Sequence, residues 1–229
     1  MKSKPFLPVP MAIPVPNMTD TRPLTPTPIP SSCPFPTITP QTLVLWLSDP
    51  SSHPYDQVYV IDVRFDYEHT NGRIVGAINF LTLEDLRLFY EAHLGENIAL
   101  VFHCEYSHDR GPTMMTKFRE YDREQNIRNY PHLNYPNMFL LSGGFRFFYQ
   151  QYQDSRWIEG NYTPMRAEPY RSNGQLRHSF SYFEREIKSP RGRIRRCFSA
   201  GTYSPLSFSQ LNHPSSLPIT ASRFSLSQD

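Results

Sequence analysis

Cys104 and Arg110 are the two residues of this sequence whose types and spacing could together do chemistry. They lie six positions apart in the segment HCEYSHDRGP, residues 103–112. A cysteine thiolate is a strong nucleophile. An arginine can donate two parallel N–H groups to one oxyanion, which a lysine cannot do. The pair therefore predicts a phosphate-binding loop with a nucleophile at its floor.

The residues on either side of this loop favour a functional interpretation over a chance spacing. The apolar segment Ile98–Phe102 precedes the loop and predicts a strand, and Pro112 suits the first turn of a following helix. A loop between a strand and a helix N-terminus directs backbone N–H groups and the positive end of the helix dipole inwards. Such a place binds anions and favours the thiolate form of a cysteine.

The pattern along the chain predicts strands that alternate with helices. Apolar runs predict strands at Val58–Ile61, Gly76–Phe80, Ile98–Phe102 and Met138–Leu141. Helices are predicted from Pro40 after a Thr39 cap, from Thr82 with Asp85 to about His93, and over Pro112–Gln125, Phe145–Tyr152 and Leu176–Lys188. Asn71-Gly72 predicts a turn, and residues 154–169 are expected to be irregular. The alternation indicates an α/β fold with a parallel sheet flanked by helices.

Composition divides the chain into one domain and two tails. Of the 23 prolines, 11 lie within residues 1–36, and residues 189–229 contain ten serines with almost no periodic apolar pattern. We predict a disordered Pro-rich arm over residues 1–36, a folded domain over 37–188 and a disordered Ser/Arg-rich tail over 189–229. Cys33 and Cys197 fall in the tails and are expected to be idle thiols.

Charge and cysteine content argue against several classes of function. The net charge of +2 is too small to indicate nucleic-acid or membrane binding, and no apolar run approaches the roughly 18 residues of a membrane span. Three widely spaced cysteines predict neither a disulfide framework nor a paired-cysteine metal site, and they favour a reducing compartment. We expect a soluble monomer of the cytoplasm and nucleus that needs no metal and no cofactor.

Several segments carry a resemblance to known families. VIDVRFDYEHTNGRIVGAINF (residues 60–80) and LSGGFRFF (residues 141–148) resemble the signature and the closing turn of the rhodanese fold. HCEYSHDRGP is similar to the active-site loop of the M-phase inducer phosphatases, the dual-specificity phosphatases of the cell-division cycle, and NYTPM (residues 161–165) resembles a segment near the end of their catalytic domain. The resemblance covers about residues 38–165. It implies a rhodanese-like α/β fold, with a central parallel sheet flanked by helices on both faces.

The resemblance also implies roles for the loop residues. Cys104 would attack phosphorus and form a phosphocysteine, while Arg110 would bind the equatorial oxygens. Asp109 stands where the family has a glutamate proposed as the acid for the leaving oxygen, and its side chain is one methylene shorter. Glu105 is the other candidate acid, although we favour a role in shaping the loop. The implied phosphate-binding residues are Glu105, Tyr106, Ser107, His108, Asp109 and Arg110.

The implied substrate is a phosphorylated protein, a cyclin-dependent kinase in this family. Arg119 and Arg123 match arginines of the family's remote docking site, and Arg128 replaces the tyrosine that follows them. Two alternatives remain open. The seven-residue loop is longer than the loop of the sulfurtransferases, but arsenate reductases of the same fold share its length. The domain could also be a non-catalytic module that binds phosphoproteins.

Residues beside the loop are expected to be structural. We expect His103 to hydrogen-bond loop backbone rather than act as a base. Asp62, Arg64 and Glu68 are expected to brace the loop through buried ion pairs. Val63 stands where the family commonly carries a second cysteine, so we expect no internal disulfide to protect an oxidised Cys104.

Overall fold

The structure, a computed structural model, describes residues 34–189. Most of the predicted arm and of the predicted tail, with Cys33 and Cys197, lie outside the described residues. The strands are β1 (Thr37–Ile38), β2 (Gln57–Asp62), β3 (Gly72–Ile74), β4 (Ile78–Asn79), β5 (Ile98–His103), β6 (Met138–Leu141) and β7 (Ile158–Gly160). The helices are α1 (Pro40–Ser48), α2 (Asp66–Asn71), α3 (Leu83–Ala92), α4 (Arg110–Gln125), α5 (Gly144–Tyr152) and α6 (Gln175–Tyr182), and α6 continues as a π-helix over Phe183–Lys188.

Five of these strands form a parallel sheet in the order β1-β6-β5-β2-β4. β5 lies at the centre, between β2 and β6, and all six of its residues are buried. A short apolar strand without polar alternation suits this central position because both of its faces are covered. The predicted strand before the loop is therefore confirmed in place and environment.

Alternate side chains of β5 pack on opposite faces of the sheet. Leu100 and Phe102 contribute to a core that includes apolar residues of α3 and α4. Ala99 and Val101 contribute to a second core with residues of α1 and α5. This two-residue alternation is the geometry of a strand that is buried on both sides. The α/β fold with helices on both faces of a parallel sheet is confirmed.

The helix starts follow the predicted caps. The Thr39 hydroxyl accepts the N–H of Thr42 at 3.1 Å, with Pro40 as the first helical residue. Thr82 and Asp85 form the predicted capping box of α3. α4 begins at Arg110, two residues before the predicted start.

Two predictions between β2 and β4 are wrong in detail. Asn71-Gly72 is not a turn, since residues 66–71 form α2 and Gly72 begins β3, which pairs antiparallel with β7. A Cβ on Gly72 would overlap the carbonyl group of Asn161, so this close approach requires glycine. The strand predicted over Gly76–Phe80 shrinks to two residues because Gly76 lies in a turn with φ +74°.

A buried ion pair joins the end of β2 to the segment that follows it. Arg64 Nη2 lies 2.6 Å from Asp62 Oδ2, and both side chains are fully buried. Arg64 also donates to the carbonyl oxygens of Glu68 at 3.3 Å and Gly72 at 2.7 Å. The guanidinium group therefore ties α2 and β3 to the sheet, as the expected bracing role requires.

His103, the last residue of β5, is a neutral imidazole beside this ion pair. Its Nδ1 lies 3.7 Å from Asp62 Oδ1, and its side chain is fully buried. Burial lowers the pKa of His103 to about 4, although the Asp62 carboxylate acts in the opposite direction. Burial opposes the charge of Asp62, but the Arg64 cation and a hydrogen bond with His69 at 2.8 Å keep the pKa of Asp62 well below its usual value.

The turn between β6 and α5 packs directly against the loop that follows β5. Gly143 and Gly144 both have positive φ angles, +72° and +65°. A Cβ on Gly144 would lie 2.6 Å from the carbonyl oxygens of Cys104 and Glu105 and 2.7 Å from the backbone nitrogen of Ser107. Glycine is therefore required at residue 144 both by the backbone conformation and by the space available.

Replacing Gly144 with alanine should destabilise the fold by roughly 2–4 kcal/mol, since strain at positive φ adds to an overlap with backbone. Gly76→Ala is the matched control, because Gly76 has φ +74° but no atom lies within 4 Å of the added Cβ. The control should lose only about 1 kcal/mol. Urea unfolding measures both free energies, and equal losses would contradict the proposed close packing on the loop.

The buried His103 should make stability fall as the pH is lowered. Its pKa is 6.5 in the unfolded chain and about 4 when folded, so its contribution is complete above 6.5 and is lost as pH falls from 6.5 through 4. Between about pH 7.5 and about pH 5 the loss should be about 2 kcal/mol.

Urea unfolding of wild type and His103→Asn at both pH values isolates this contribution from those of other groups. Glu68, whose pKa burial raises despite the nearby Arg110, acts in the opposite direction in both proteins. His132→Asn serves as a control, because His132 is exposed. A His103→Asn variant that keeps the full pH dependence would contradict the assignment.

Candidate active site

The loop of residues 104–109 brings Cys104 and Arg110 to one cavity. Cys104 directly follows β5, and Arg110 is the first residue of α4. Their exposed fractions are only 4% and 5%. The cavity has a volume of about 140 Å³ and is lined by Cys104, Glu105, Tyr106, His108, Asp109, Arg110, Met165 and Phe180.

The backbone N–H groups of this loop are available to an anion. Within the described residues, the N–H groups of Glu105, Tyr106, Ser107 and His108 donate to no other residue. Ser107 has φ +55° and is the single non-glycine residue in the described part of the chain with a positive φ. Unpaired amides in a strained loop at a helix N-terminus are the features of an anion-binding site.

Helix α5 supports the same loop from behind. Its first N–H groups, those of Phe145 and Arg146, donate to the carbonyl oxygens of Cys104 at 2.9 Å and Glu105 at 3.0 Å. These bonds use donors at the α5 N-terminus that lack partners within their own helix. The loop carbonyls are thereby fixed on the protein side, while the loop amides keep their hydrogen-bonding capacity.

Arg110 is oriented by a buried carboxylate. Its Nη1 lies 2.5 Å from Glu68 Oε2, and its Nη2 donates to Glu68 Oε1 at 3.2 Å. The Phe65 ring covers the guanidinium at 4.6 Å, and the Phe65 N–H holds Glu68 Oε2 at 3.0 Å. Burial opposes the charge of Arg110, but Glu68 outweighs it, so the pKa of Arg110 is raised. The expected bracing by Glu68 is therefore present and acts on Arg110.

Glu105 is fixed to the segment after β7. Its Oε1 accepts the hydroxyl of Tyr162 at 2.5 Å and the N–H of Met165 at 3.4 Å, and the side chain is 5% exposed. Burial and this carboxylate raise the pKa of Tyr162. These contacts fit the loop-shaping role that we favoured for Glu105.

Asp109 lies at the rim of the cavity and points towards the end of the chain's described part. Its Oδ1 is 3.2 Å from Lys188 Nζ, and the two side chains are 52% and 43% exposed. Glu184 and Asp109 together raise the pKa of Lys188. Phe180, on α6, lines the same cavity. The segment Gln175–Lys188 therefore completes the entrance, held in place by the buried Phe183 and Ile187.

The other predicted phosphate-binding residues differ in exposure. The Tyr106 side chain is half exposed, and its hydroxyl accepts from Arg146 Nη1 at 3.0 Å. His108 is exposed on the cavity wall, whereas the Ser107 hydroxyl is buried without a partner among the described residues. Ser107 is not among the residues that line the cavity, and its backbone nitrogen lies beside Gly144.

A larger cavity of about 200 Å³ lies beside α6 and is lined by neither Cys104 nor Arg110. It is lined mainly by apolar side chains, among them Val63, Phe80 and Phe183. The smaller cavity is the candidate active site because it alone contains Cys104 and Arg110 among these two cavities.

The two predicted docking arginines have different environments. Arg119 is 12% exposed and donates to Asp122 at 3.0 Å and to the Tyr135 carbonyl at 2.8 Å. Burial lowers the pKa of Arg119, although Asp122 opposes this effect. Arg123 is exposed on α4. Arg119 thus has an internal structural role, and Arg123 is the arginine free to meet a partner.

Five residues of the site were not singled out from the sequence: Gly144, Tyr162, Met165, Phe180 and Lys188. Tyr162 belongs to the NYTPM segment, which carried a family resemblance but no chemical argument. Gly144 belongs to the segment LSGGFRFF, and the sequence predicts only a turn at this position. Phe180 and Lys188 reach the cavity from a distant helix, and no local pattern indicates such a contact.

Two further classes of feature are absent from residues 34–189. No group of three or more His, Cys, Asp or Glu side chains there is placed to hold a metal ion. No helix in that range is both long and apolar enough to cross a membrane. Cys104 is the single free cysteine in this part of the chain.

Comparison with known proteins finds relatives for part of the chain. Residues 39–151 match the family described as Rhodanese-like domain. The chain is 37% identical over 135 residues to the M-phase inducer phosphatase of Emericella nidulans. This match covers 59% of this chain and 24% of that protein. It is 35% identical over 141 residues to M-phase inducer phosphatase 3 of Homo sapiens, covering 59% and 29%.

Among solved structures, an As-Sb reductase from Leishmania major is 26% identical, with a TM-score of 0.41, covering 61% of this chain and 97% of that chain. The chain spans about a quarter of the length of the two curated relatives. The family match and the identities agree with the parallel sheet and with the loop between β5 and α4. Residues 39–151 therefore form a rhodanese-like domain, and the chain is similar to M-phase inducer phosphatases over 135 to 141 residues.

Proposed function

We propose that this protein is a cysteine-dependent protein phosphatase that acts on phosphotyrosine and phosphothreonine. The observation that carries the proposal is the loop itself. Cys104 and Arg110 line one cavity together with Glu105, Tyr106 and His108, whose backbone N–H groups are unpaired within the described residues. Fixed donors of this kind stabilise a transferring phosphoryl group because they need no reorganisation during the reaction. Relatives named M-phase inducer phosphatases support the same activity.

In the proposed reaction, the Cys104 thiolate forms a bond to phosphorus while the bond from phosphorus to the ester oxygen breaks. Arg110 and the loop amides hold the remaining phosphoryl oxygens. The leaving oxygen takes a proton from Asp109, which lies at the rim where a leaving group would exit. A water molecule then attacks the phosphocysteine and gives a proton back to the Asp109 carboxylate. This step releases inorganic phosphate and the thiolate, so that one displacement becomes two easier steps.

The proposed substrate is a phosphorylated cyclin-dependent kinase, and the proposed role is activation of that kinase in cell-cycle control. The names of the relatives support a role in the M phase. Arg123 and the exposed Arg128 offer positive charge on α4 and just beyond it, away from the loop at the other end of the helix. Such a surface suits recognition of a protein partner through charge.

Cys104→Ser should reduce hydrolysis of an aryl phosphate in EDTA by roughly 10³-fold or more, because the serine hydroxyl is a far weaker nucleophile. Acid quenching followed by mass spectrometry should find a phosphoryl group on Cys104 of the wild type alone. Hydrolysis that survives the substitution would remove the nucleophile assignment.

The same experiment separates the alternatives. A wild type that binds phosphopeptide without hydrolysis would support the binding module instead. Arsenate turnover with a thiol donor, in the absence of phosphatase activity, would support a reductase.

Arg123→Ala should leave aryl phosphate turnover unchanged while lowering the rate on a phosphorylated kinase about tenfold, since one charged contact to the partner is lost. Arg177→Ala, another exposed arginine, is the matched control and should affect neither rate. Arg119→Ala should lower stability in urea, because Asp122 loses a buried partner. Equal losses on both substrates for Arg123→Ala would remove the docking proposal.

A further inference from the structure

The pairing of Arg110 with Glu68 leaves one edge of the guanidinium group open. The Glu68 carboxylate accepts hydrogen bonds from both terminal nitrogens of Arg110, Nη1 and Nη2. Within the described residues, these are the hydrogen bonds that the Arg110 guanidinium group makes, and its Nε–H group donates to no protein atom. One face of the group is covered by Phe65. An oxyanion in the cavity would therefore meet the side edge, formed by Nε–H and a neighbouring Nη–H.

Glu68 itself has little freedom to move. Its side chain is fully buried, and Oε2 is held by the Phe65 N–H as well as by Arg110. Its position in the first turn of α2 is fixed by the backbone bond from its N–H to the Phe65 carbonyl, at 2.9 Å. The carboxylate is thus a rigid reference for the orientation of Arg110.

The charges around the guanidinium group are not balanced. Two buried carboxylates lie near Arg110, Glu68 at 2.5 Å and Glu105 at 3.9 Å. Another nearby cation, Arg64, is already paired with Asp62. A phosphate dianion in the cavity would therefore experience repulsion from these carboxylates as well as attraction to Arg110. Burial weakens solvent screening, so the repulsion is felt at this distance.

We propose that Glu68 is a positioning residue with two effects: it presents the side edge of Arg110 to the oxyanion, and it weakens the binding of the free phosphate dianion. This inference rests on the proposed phosphatase function. Weaker binding of the free dianion can increase the reaction rate, because binding substrate, transition state and product equally strongly gives no acceleration. Weak product binding also favours release of phosphate.

Glu68→Gln and Glu68→Asp separate the two effects. The glutamine removes the negative charge, and its amide offers one acceptor oxygen where the carboxylate offers two. The aspartate keeps the charge but shortens the side chain by one methylene. Glu159→Gln is the matched control, since Glu159 on β7 pairs with Arg73 on β3 at 2.5 Å and both side chains are partly exposed.

Two quantities are measured on each variant, kcat on an aryl phosphate and the dissociation constant of inorganic phosphate by titration calorimetry. Glu68→Gln should lower kcat about tenfold or more, because Arg110 is less well oriented, and should tighten phosphate binding severalfold. Glu68→Asp should lower kcat without tightening phosphate binding. Glu159→Gln should change neither quantity.

If Glu68→Gln leaves both kcat and the phosphate affinity unchanged, the proposal is overturned. It is also overturned if Glu68→Gln binds phosphate more weakly than the wild type, once the affinity is corrected for the folded fraction that urea unfolding measures. If Glu68→Gln does not fold, Glu68→Asp decides: a wild-type kcat would overturn the proposal. Calorimetry does not require turnover. A wild type that binds phosphate but hydrolyses nothing would therefore remove the proposed function while leaving the affinity comparison intact.

Discussion

A buried arginine that must keep part of its hydrogen-bonding capacity free is the constraint on which this site depends. An isolated buried charge is costly, and breaking a buried ion pair typically costs about 3–5 kcal/mol. Complete pairing, however, would leave no donor for a substrate. Glu68 resolves the conflict because it binds Arg110 at the end of its fork and leaves the side edge open. The six-residue helix α2 places this carboxylate, and the buried pair of Asp62 and Arg64 holds α2 to the sheet.

The loop amides present the same conflict in the backbone. Buried N–H groups are normally paired, yet an anion-binding loop must leave several without a protein partner. The supporting interactions therefore act on the carbonyl groups, which α5 binds through the N–H groups of Phe145 and Arg146. Gly144 permits this close approach because it lacks a Cβ. The turn after β6 thus supports the site even though it contributes no residue to the cavity lining.

Local signals account for what the sequence could predict. The apolar run of β5, the Thr39 and Thr82 caps, and the helix after Pro112 each depend on neighbouring residues, so their positions could be derived. The strands β3 and β7 could not be predicted in this way, because each has only three residues and the two pair across a long separation in the sequence. Arg119 is a similar case. Its spacing on α4 suits a docking surface, but the Tyr135 carbonyl that binds it lies 16 residues away.

The cavity combines parts with different origins in the chain. Its floor lies within residues 39–151, which match the rhodanese-like family, whereas Met165 and Phe180 on its wall lie beyond that range. Glu105 connects the two parts, since its carboxylate binds Tyr162 and the Met165 N–H. A change in the later segment can therefore alter the loop as well as the entrance. The shapes of the loop and of the entrance are consequently coupled through Glu105, although Cys104 and the wall residues lie far apart in the sequence.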